Sequence, residues 1–484
     1  MRRNLRLRIS YGELRNKTSL IIFVLSLLFW SFAFGVAVEK FRVFPYKIIV
    51  HAQQGASKTF DILTGKLPWY YRYTDRTKTV IVHDQQAVSE GLTLVSGLTK
   101  EGKVHVQVLT RDGEVVHQWL FDWFDNFWPN PVHIPEDQLP QARPATQIHG
   151  LALLKNGDLL FNMDGFGLSR VNLCGNVIWQ LASRTHHALD VDEQENIWVP
   201  SQNRMLKPTA KFPNYRPPFE EYTVLKVAPD GKILREISIF DLLINNRLHG
   251  LLYMWAKQNQ LTVVSGDTLH LNDVETFPAH LQPGVFGTGD VLISLRNIHT
   301  VLVFNSDTLN IKYLSVGKTV RQHDPDFVDG NRISVFDNNN VAPESHSMNS
   351  RIVVIDARND QVQVIYSGSS EHPFYTDIMG KHQWLPNGNI LVTESKRGRA
   401  FEIDANGKLL WEYFNLVDKG RLALVTEAER LPSFFTPSFF MEGRRTCDKV
   451  PVAEVSAPKE LSHLELEPDD SQKSPLQRKY LLRR

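Results

Sequence analysis

The residues best suited to chemistry are histidines that stand at matching points of a repeated pattern. Residues 321–340, RQHDPDFVDGNRISVFDNNN, hold His323 beside Asp324, then a tight polar turn at Asp329, Gly330 and Asn331, then an apolar run at 333–336 that reads as a strand. His149 opens HGLALLKNGDLLFNMD, His187 opens HALDVDEQENIWVPS and His382 opens HQWLPNGNILVTES. Each copy is a polar opener, a short apolar strand, an Asn-Gly or equivalent turn, and a second strand. A histidine at one fixed point of a repeated unit is a geometric statement: if the units are arranged about an axis, the rings point at a common centre. A neutral imidazole there is a nucleophile or a base near pH 7. Taken singly, a histidine at a strand start is a hydrogen-bonded structural residue. His149, His249 and His299 read that way, and Asp324 reads as a turn cap.

The elements that must position these rings are strands. From about residue 80 to 414 the hydrophobic period is two, and Asp112-Gly113, Asn156-Gly157, Asp230-Gly231, Asn387-Gly388 and Asn406-Gly407 mark hairpin turns. Candidate units fall at about 80–121, 147–182, 186–240, 270–317, 321–367 and 382–415. A unit of four strands takes about 35–50 residues, the size of a propeller blade. The spacing therefore predicts an all-β chain with a six-bladed β-propeller over 80–415. The long Pro-rich and basic stretch 202–221 is expected to lie over one face. Residues 416–450 read as a helical or irregular extension, with a helix in LVDKGRLALVTEAERL, and 451–484 as a disordered polar tail.

At 484 residues the chain can bury a large core. Its formal net charge of +1 gives no electrostatic footprint for nucleic acid, and no nucleic-acid partner is expected. The two cysteines, Cys174 and Cys447, cannot define a framework from sequence, and they read as structural thiols. Residues 19–38, SLIIFVLSLLFWSFAFGVAV, carry no charge over about 20 positions, enough helix to cross roughly 30 Å of hydrocarbon. Arg2, Arg3, Arg6, Arg8, Arg15 and Lys17 precede them, opposed only by Glu13. The positive-inside rule then gives a cytoplasmic basic segment (1–18), a transmembrane helix (19–38), a stalk (39–79) and a body on the far side. A cleaved signal peptide is the other reading of 19–38, less favoured because the apolar stretch is long and no convincing small-x-small cleavage site ends it. The expected location is a bacterial inner membrane, with the body in the periplasm or an extracytoplasmic equivalent.

Thr185-His186-His187, His270-Leu271-Asn272-Asp273, Ser294-Leu295-Arg296-Asn297 and Gln322-His323-Asp324 together resemble the arylsulfotransferase family. The likeness extends over about 80–414 and is closest in QHDPDFVDGNRISVFDN, HLNDVE and NGNILVTESKRGRAFEIDANGKLLWEY. It implies a six-bladed propeller that moves a sulfuryl group from a phenolic sulfate to a phenol without a nucleotide sulfate donor, using no cofactor and no metal. By that pattern His323 is the residue transiently sulfurylated. His270 and Asn272 form the HxN element, Arg296 is the family's arginine and His187 belongs to the His-His element. Thr393 is the nearest candidate for a late hydroxyl residue. Phe-Asp-Asn-Asn-Asn, at 336–340, stands where a glycine is often seen.

The chemistry suits those residue types. The N–S bond of a sulfo-imidazole is weak enough to pass the group on, and a loose transition state puts the weight on positioning and charge. Arg296 offers a planar fork for the sulfuryl oxygens. His270 and Asn272 offer further hydrogen bonds to them, and His187 is the expected general acid and base. Two other readings stay open. Histidines meeting on an axis could hold Zn²⁺ or Cu²⁺, although Arg296 would repel a cation. A membrane-anchored propeller without catalysis could use one face as a docking platform.

Overall fold

The computed structural model describes residues 11–41, 43–46, 66–125, 127–128, 131, 133–134, 138–256, 263–341 and 349–447. The expected tail at 451–484, the start of the basic segment and residues 42 and 47–65 of the stalk lie outside them. The chain divides into two compact units, Met1–Pro68 and Trp69–Arg484.

In the first unit a helix runs over Tyr11–Phe41. Its Ser19–Phe41 part, 23 residues with mean hydropathy 2.5, is long and apolar enough to cross a membrane.

The second unit is built of antiparallel sheets. Among the described residues there are six sheets of four or five strands and one of three. Sheet two (Ile148–Leu153, Leu159–Met163, Gly167–Val171, Val177–Leu181) is a simple meander. So are sheet four, from Leu271–Thr276 to Ile311–Val316, and sheet five, from His323–Phe327 to Gln361–Tyr366. Sheet three starts at Asp190–Val191 and contains the long hairpin Ile197–Met205 and Tyr215–Val227, extended by Val264–Gly266 pairing in parallel. The hairpin turns form as the Asp-Gly and Asn-Gly pairs demand. Gly113, Gly157, Gly231, Gly388 and Gly407 have φ of 90°, 88°, 84°, 85° and 81°. At the first, Gly113 N–H returns to Thr110 O, giving a bulged hairpin.

Sheets one and six depart from the sequence units. Val80–Val82 does not open sheet one; it pairs with Leu409–Phe414 as the outer strand of sheet six. The first strand of sheet one comes from the other end of the unit: Val425–Arg430 pairs with Thr93–Leu98. The helix expected in LVDKGRLALVTEAERL is therefore overturned. Leu416–Asp418, Arg421–Ala423 and Val425–Arg430 are strands. The reason is tertiary: an edge of six buried residues, Thr93–Leu98, needed a partner, and its ladder outweighs the weak helical pattern of this segment. The helix of this region is Pro437–Cys447 instead, and Cys447 forms a disulfide with Cys174 across a sequence separation of 273.

Neighbouring sheets touch in order through their first or second strands. Leu271–Thr276 lies against Ile197–Met205 and His323–Phe327, the latter against Lys381–Trp384, and Val425–Arg430 against both Lys381–Trp384 and Ile148–Leu153. Between sheets two and three, the Asn162 amide donates to His187 O. Faces between sheets are filled by fully buried rings such as Phe161, Phe304, Phe336, Phe401 and Trp411, each contributing about 1.5–3 kcal/mol by removal from water.

Candidate functional site

Four histidines from four successive sheets meet. His149 is the second residue of its strand, His323 the first of its own, and His187 and His270 stand in the turns just before theirs. Ring centroids lie 4.2 Å apart for His149 and His187, 4.9 Å for His187 and His270, and 6.5 Å for His187 and His323. His382 does not join them. Its Nδ1 is 2.9 Å from Asp324 Oδ2 and its Nε2 2.7 Å from Ser334 Oγ, so it ties sheet six to sheet five. Backbone strain collects here: His187, His270, Asp324 and Met379 have φ of 59°, 55°, 50° and 61°. Non-glycine residues held in that region cost energy that the surrounding structure must supply, and such residues cluster at functional sites.

His323 is held at both nitrogens. Nδ1 is 2.7 Å from Asn338 Oδ1, and Met379 N–H donates to Nε2 at 3.2 Å. Burial, then the charge of Arg296, holds His323 well below the ordinary histidine pKa, so the ring is neutral at pH 7. Burial, then the neighbouring histidines, holds His187 well below the ordinary value too, and His186 is pushed down to about 4 by burial. His186 and His187 share a 2.9 Å contact between their Nδ1 atoms.

Of the four rings His270 has the nearest acid partner; His149 also faces one, with its Nδ1 3.8 Å from Asp164 Oδ2. The Nδ1 of His270 is 2.5 Å from Asp267 Oδ2, and Tyr222 donates its hydroxyl to Asp267 Oδ1 at 2.6 Å. Burial pushes Asp267 up, but the bonds from His270 and Tyr222 outweigh it and leave the carboxyl below its usual range.

Arg296 opens the short 3-10 turn after the second strand of sheet four and is only 9% exposed. Among the described residues its guanidinium makes no hydrogen bond and no ion pair, and its Nε is buried without a partner. Burial and the nearby Arg321 push its pKa down to about 10, so it stays charged at pH 7. Asp267 and Asp377 attract it only from a distance, a buried cation with no direct partner is costly, and an anion bound beside it relieves that cost.

Asn272 lines the same narrow cavity as His323, but its Nδ2 donates to Gln322 O at 2.8 Å. It braces the strand carrying His323, and it is Oδ1, an acceptor, that is left unpartnered. Thr393 lies in the second strand of sheet six opposite Lys381, with its buried hydroxyl unpartnered and no hydrogen bond to the histidines. Sequence reasoning missed the place of His149 in the cluster, the Asp267 partner of His270, and Asn338. The run of asparagines at 338–340 was the available signal for the last. Among the described residues two groups have the ligand spacing for a metal: His149, Asp164 and His187, and Asp324, Asp326 and His382.

The profile of the arylsulfotransferase (ASST) family matches residues 150–416, more than half of the chain; the match takes in His187, His270 and His323 and begins one residue after His149. The chain belongs to the arylsulfotransferase family. No curated protein matches it. Among solved structures, this arylsulfotransferase-family chain is similar to a protein of unknown function from Bacteroides caccae, at 12% identity over 70% of this chain and 98% of the other, with a TM-score of 0.43. It is also similar to TolB from Acinetobacter baumannii (10% identity, 71% and 68% covered, TM-score 0.39) and to the WD40 β-propeller domain of Doa1 (11%, 71% and 83%, TM-score 0.36). Family membership supports sulfotransferase chemistry with aryl sulfates and phenols as substrates.

Proposed function

We propose that this chain moves a sulfuryl group from a phenolic sulfate to a phenol through a sulfo-histidine on His323. The observation that carries the reading is the unpaired, buried Arg296 guanidinium beside a neutral His323. An anion receptor and a nucleophile of low proton affinity are the two parts that sulfuryl transfer requires. Arg296 holds the sulfuryl oxygens, and Nε2 of His323 attacks sulfur once the Met379 N–H gives up that nitrogen. Proton transfer falls to His270 rather than to His187. A strongly depressed His187 is a weak base, whereas Asp267 can stabilise a proton arriving on His270. His187 packs between the other rings and excludes water. Asn272 positions His323, and Thr393 has no part in the chemistry.

The same proposal takes the six larger sheets as the blades of a propeller. The apolar helix is its anchor, with the N-terminus cytoplasmic and the site on the far side of a bacterial inner membrane. The disulfide favours an oxidising compartment, as that placement requires.

The test is to incubate full-length protein in detergent with an aryl sulfate that releases a coloured phenol, with and without an acceptor phenol. Ping-pong kinetics are expected, and donor alone should leave an acid-labile sulfuryl group on the peptide containing His323. His323→Ala should abolish label and transfer together; full transfer by that variant sinks the assignment. External protease on spheroplasts should digest the body and spare a short N-terminal fragment.

A further inference from the structure

Asn338 is fully buried, and each of its polar atoms is committed. Its Nδ2 donates to two backbone carbonyls, Thr376 O at 2.9 Å and Met379 O at 2.7 Å. Only the NH₂ end of an amide can satisfy two carbonyls, so the Asn338 side chain cannot be turned round. Its carbonyl Oδ1 must then be the atom 2.7 Å from His323 Nδ1. A carbonyl is an acceptor only, so Nδ1 carries the proton. The other side of the ring gives the same answer independently. Met379 N–H donates to Nε2 at 3.2 Å, and a donor there requires a lone pair on that nitrogen.

We infer that Asn338 is a positioning residue that locks His323 in its Nδ1–H tautomer and thereby makes Nε2 the atom that takes the sulfuryl group. This rests on the reading of His323 as nucleophile. In the first half-reaction the Nε2 lone pair forms the N–S bond while the bond from sulfur to the aryl oxygen breaks. That electron pair leaves with the oxygen, which takes a proton from His270. The ring now bears the sulfuryl group on Nε2 and keeps its proton on Nδ1 against Asn338, so it is cationic and a good leaving group. In the second half-reaction the acceptor oxygen attacks sulfur, the N–S pair returns to Nε2, and the acceptor's proton passes to His270. A carboxylate in place of Asn338 would hold a proton on the ring too well: it would favour the doubly protonated form and remove the lone pair.

The test has two arms. Full-length protein labelled with ¹⁵N-histidine is examined by two-bond ¹H–¹⁵N correlation at pH 7, with the His323 signals assigned by their loss in His323→Ala. The expected pattern is a protonated Nδ1 and an unprotonated Nε2; the opposite tautomer or an imidazolium overturns the inference. This arm needs no catalysis, so it stands even if no aryl sulfate reacts, an outcome that would sink the functional reading alone. The second arm follows phenol release against pH in wild type and Asn338→Asp. The groups facing His323 are His149, His270 and Arg296, with His187 against its ring and Asp273, Asp324 and Lys381 on the same cavity. Only the residue at 338 changes, so the acid limb should move up by about one pH unit or more. A merely structural role would lower stability and leave that limb in place, and an unmoved limb with folded variant overturns the inference. If the variant does not fold, the wild-type tautomer decides.

Discussion

At the residue scale the site is defined by what its charges lack. Arg296 is buried with no hydrogen bond or ion pair among the described residues, although Asp267 and Asp377 attract it from further off; on the proposed reading that cost to folding is kept for an anion. Arg296→Met should therefore raise the melting temperature while lowering kcat/KM for an aryl sulfate by about 10²-fold or more; thermal denaturation and phenol release on one preparation check both. Arg296→Lys should keep part of the activity, because the charge remains and the planar fork does not. The pH dependence follows from His323. Its pKa is depressed by burial and Arg296, so the proposed nucleophile stays unprotonated as pH falls through 6.5 and is lost only below that. Sulfuryl labelling by donor alone should hold steady from pH 7 to below 6.5, measured by quenching at short times; a loss centred on 6.5 would mean a solvated histidine. His187, His270 and His323 were legible because they head successive units, and a repeat in sequence becomes a ring in space. Asp267 was not legible. It precedes His270 by three residues in a loop, and only the chain's turn there puts carboxylate and imidazole 2.5 Å apart.

At the element scale the period-two pattern and the Gly turns announced the strands, and positive φ at Gly113, Gly157, Gly231, Gly388 and Gly407 is what those turns demanded. What the pattern could not show is which strands pair. Residues 425–430, VTEAER, alternate too weakly to declare a strand, and they become one because Thr93–Leu98 offers an edge. The Pro437–Cys447 helix is a second case. It packs Phe440 against the His117 ring and is bonded to the Cys174 turn of sheet two, a link between sequence-distant cysteines that spacing could not suggest. Cys174→Ser should cost about 2–4 kcal/mol of stability and make that helix the first site of proteolysis. Phenol release should remain, because neither cysteine adjoins the histidines. Comparing limited digests of the variant and wild type, both unreduced, checks this.

At the scale of the whole second unit the sheets are closed by exchange. Val80–Val82 completes sheet six, and Val425–Arg430 completes sheet one. The junction is pinned by charge: Arg430 donates to Glu402 Oε2 at 2.8 Å, with both side chains almost wholly buried, and Gln383 accepts from Arg430 N–H. Arg430→Ala should cost about 3–5 kcal/mol, because it strands Glu402 as a buried charge, whereas Arg430→Met with Glu402→Gln should recover much of that. Equilibrium denaturation of the two variants decides between a structural clasp and a surface pair. The clasp also sets a schedule for biosynthesis. Ser96 in sheet one is met by Thr426, 330 positions later. A ribosome working at about 5–20 residues per second needs roughly 15–70 s to supply that partner. Throughout that interval Thr93–Leu98 is a bare β-edge, open to wrong pairing with other nascent chains. If the chain is threaded through a membrane as it is made, an escort on the far side must shield this edge until the last strand emerges.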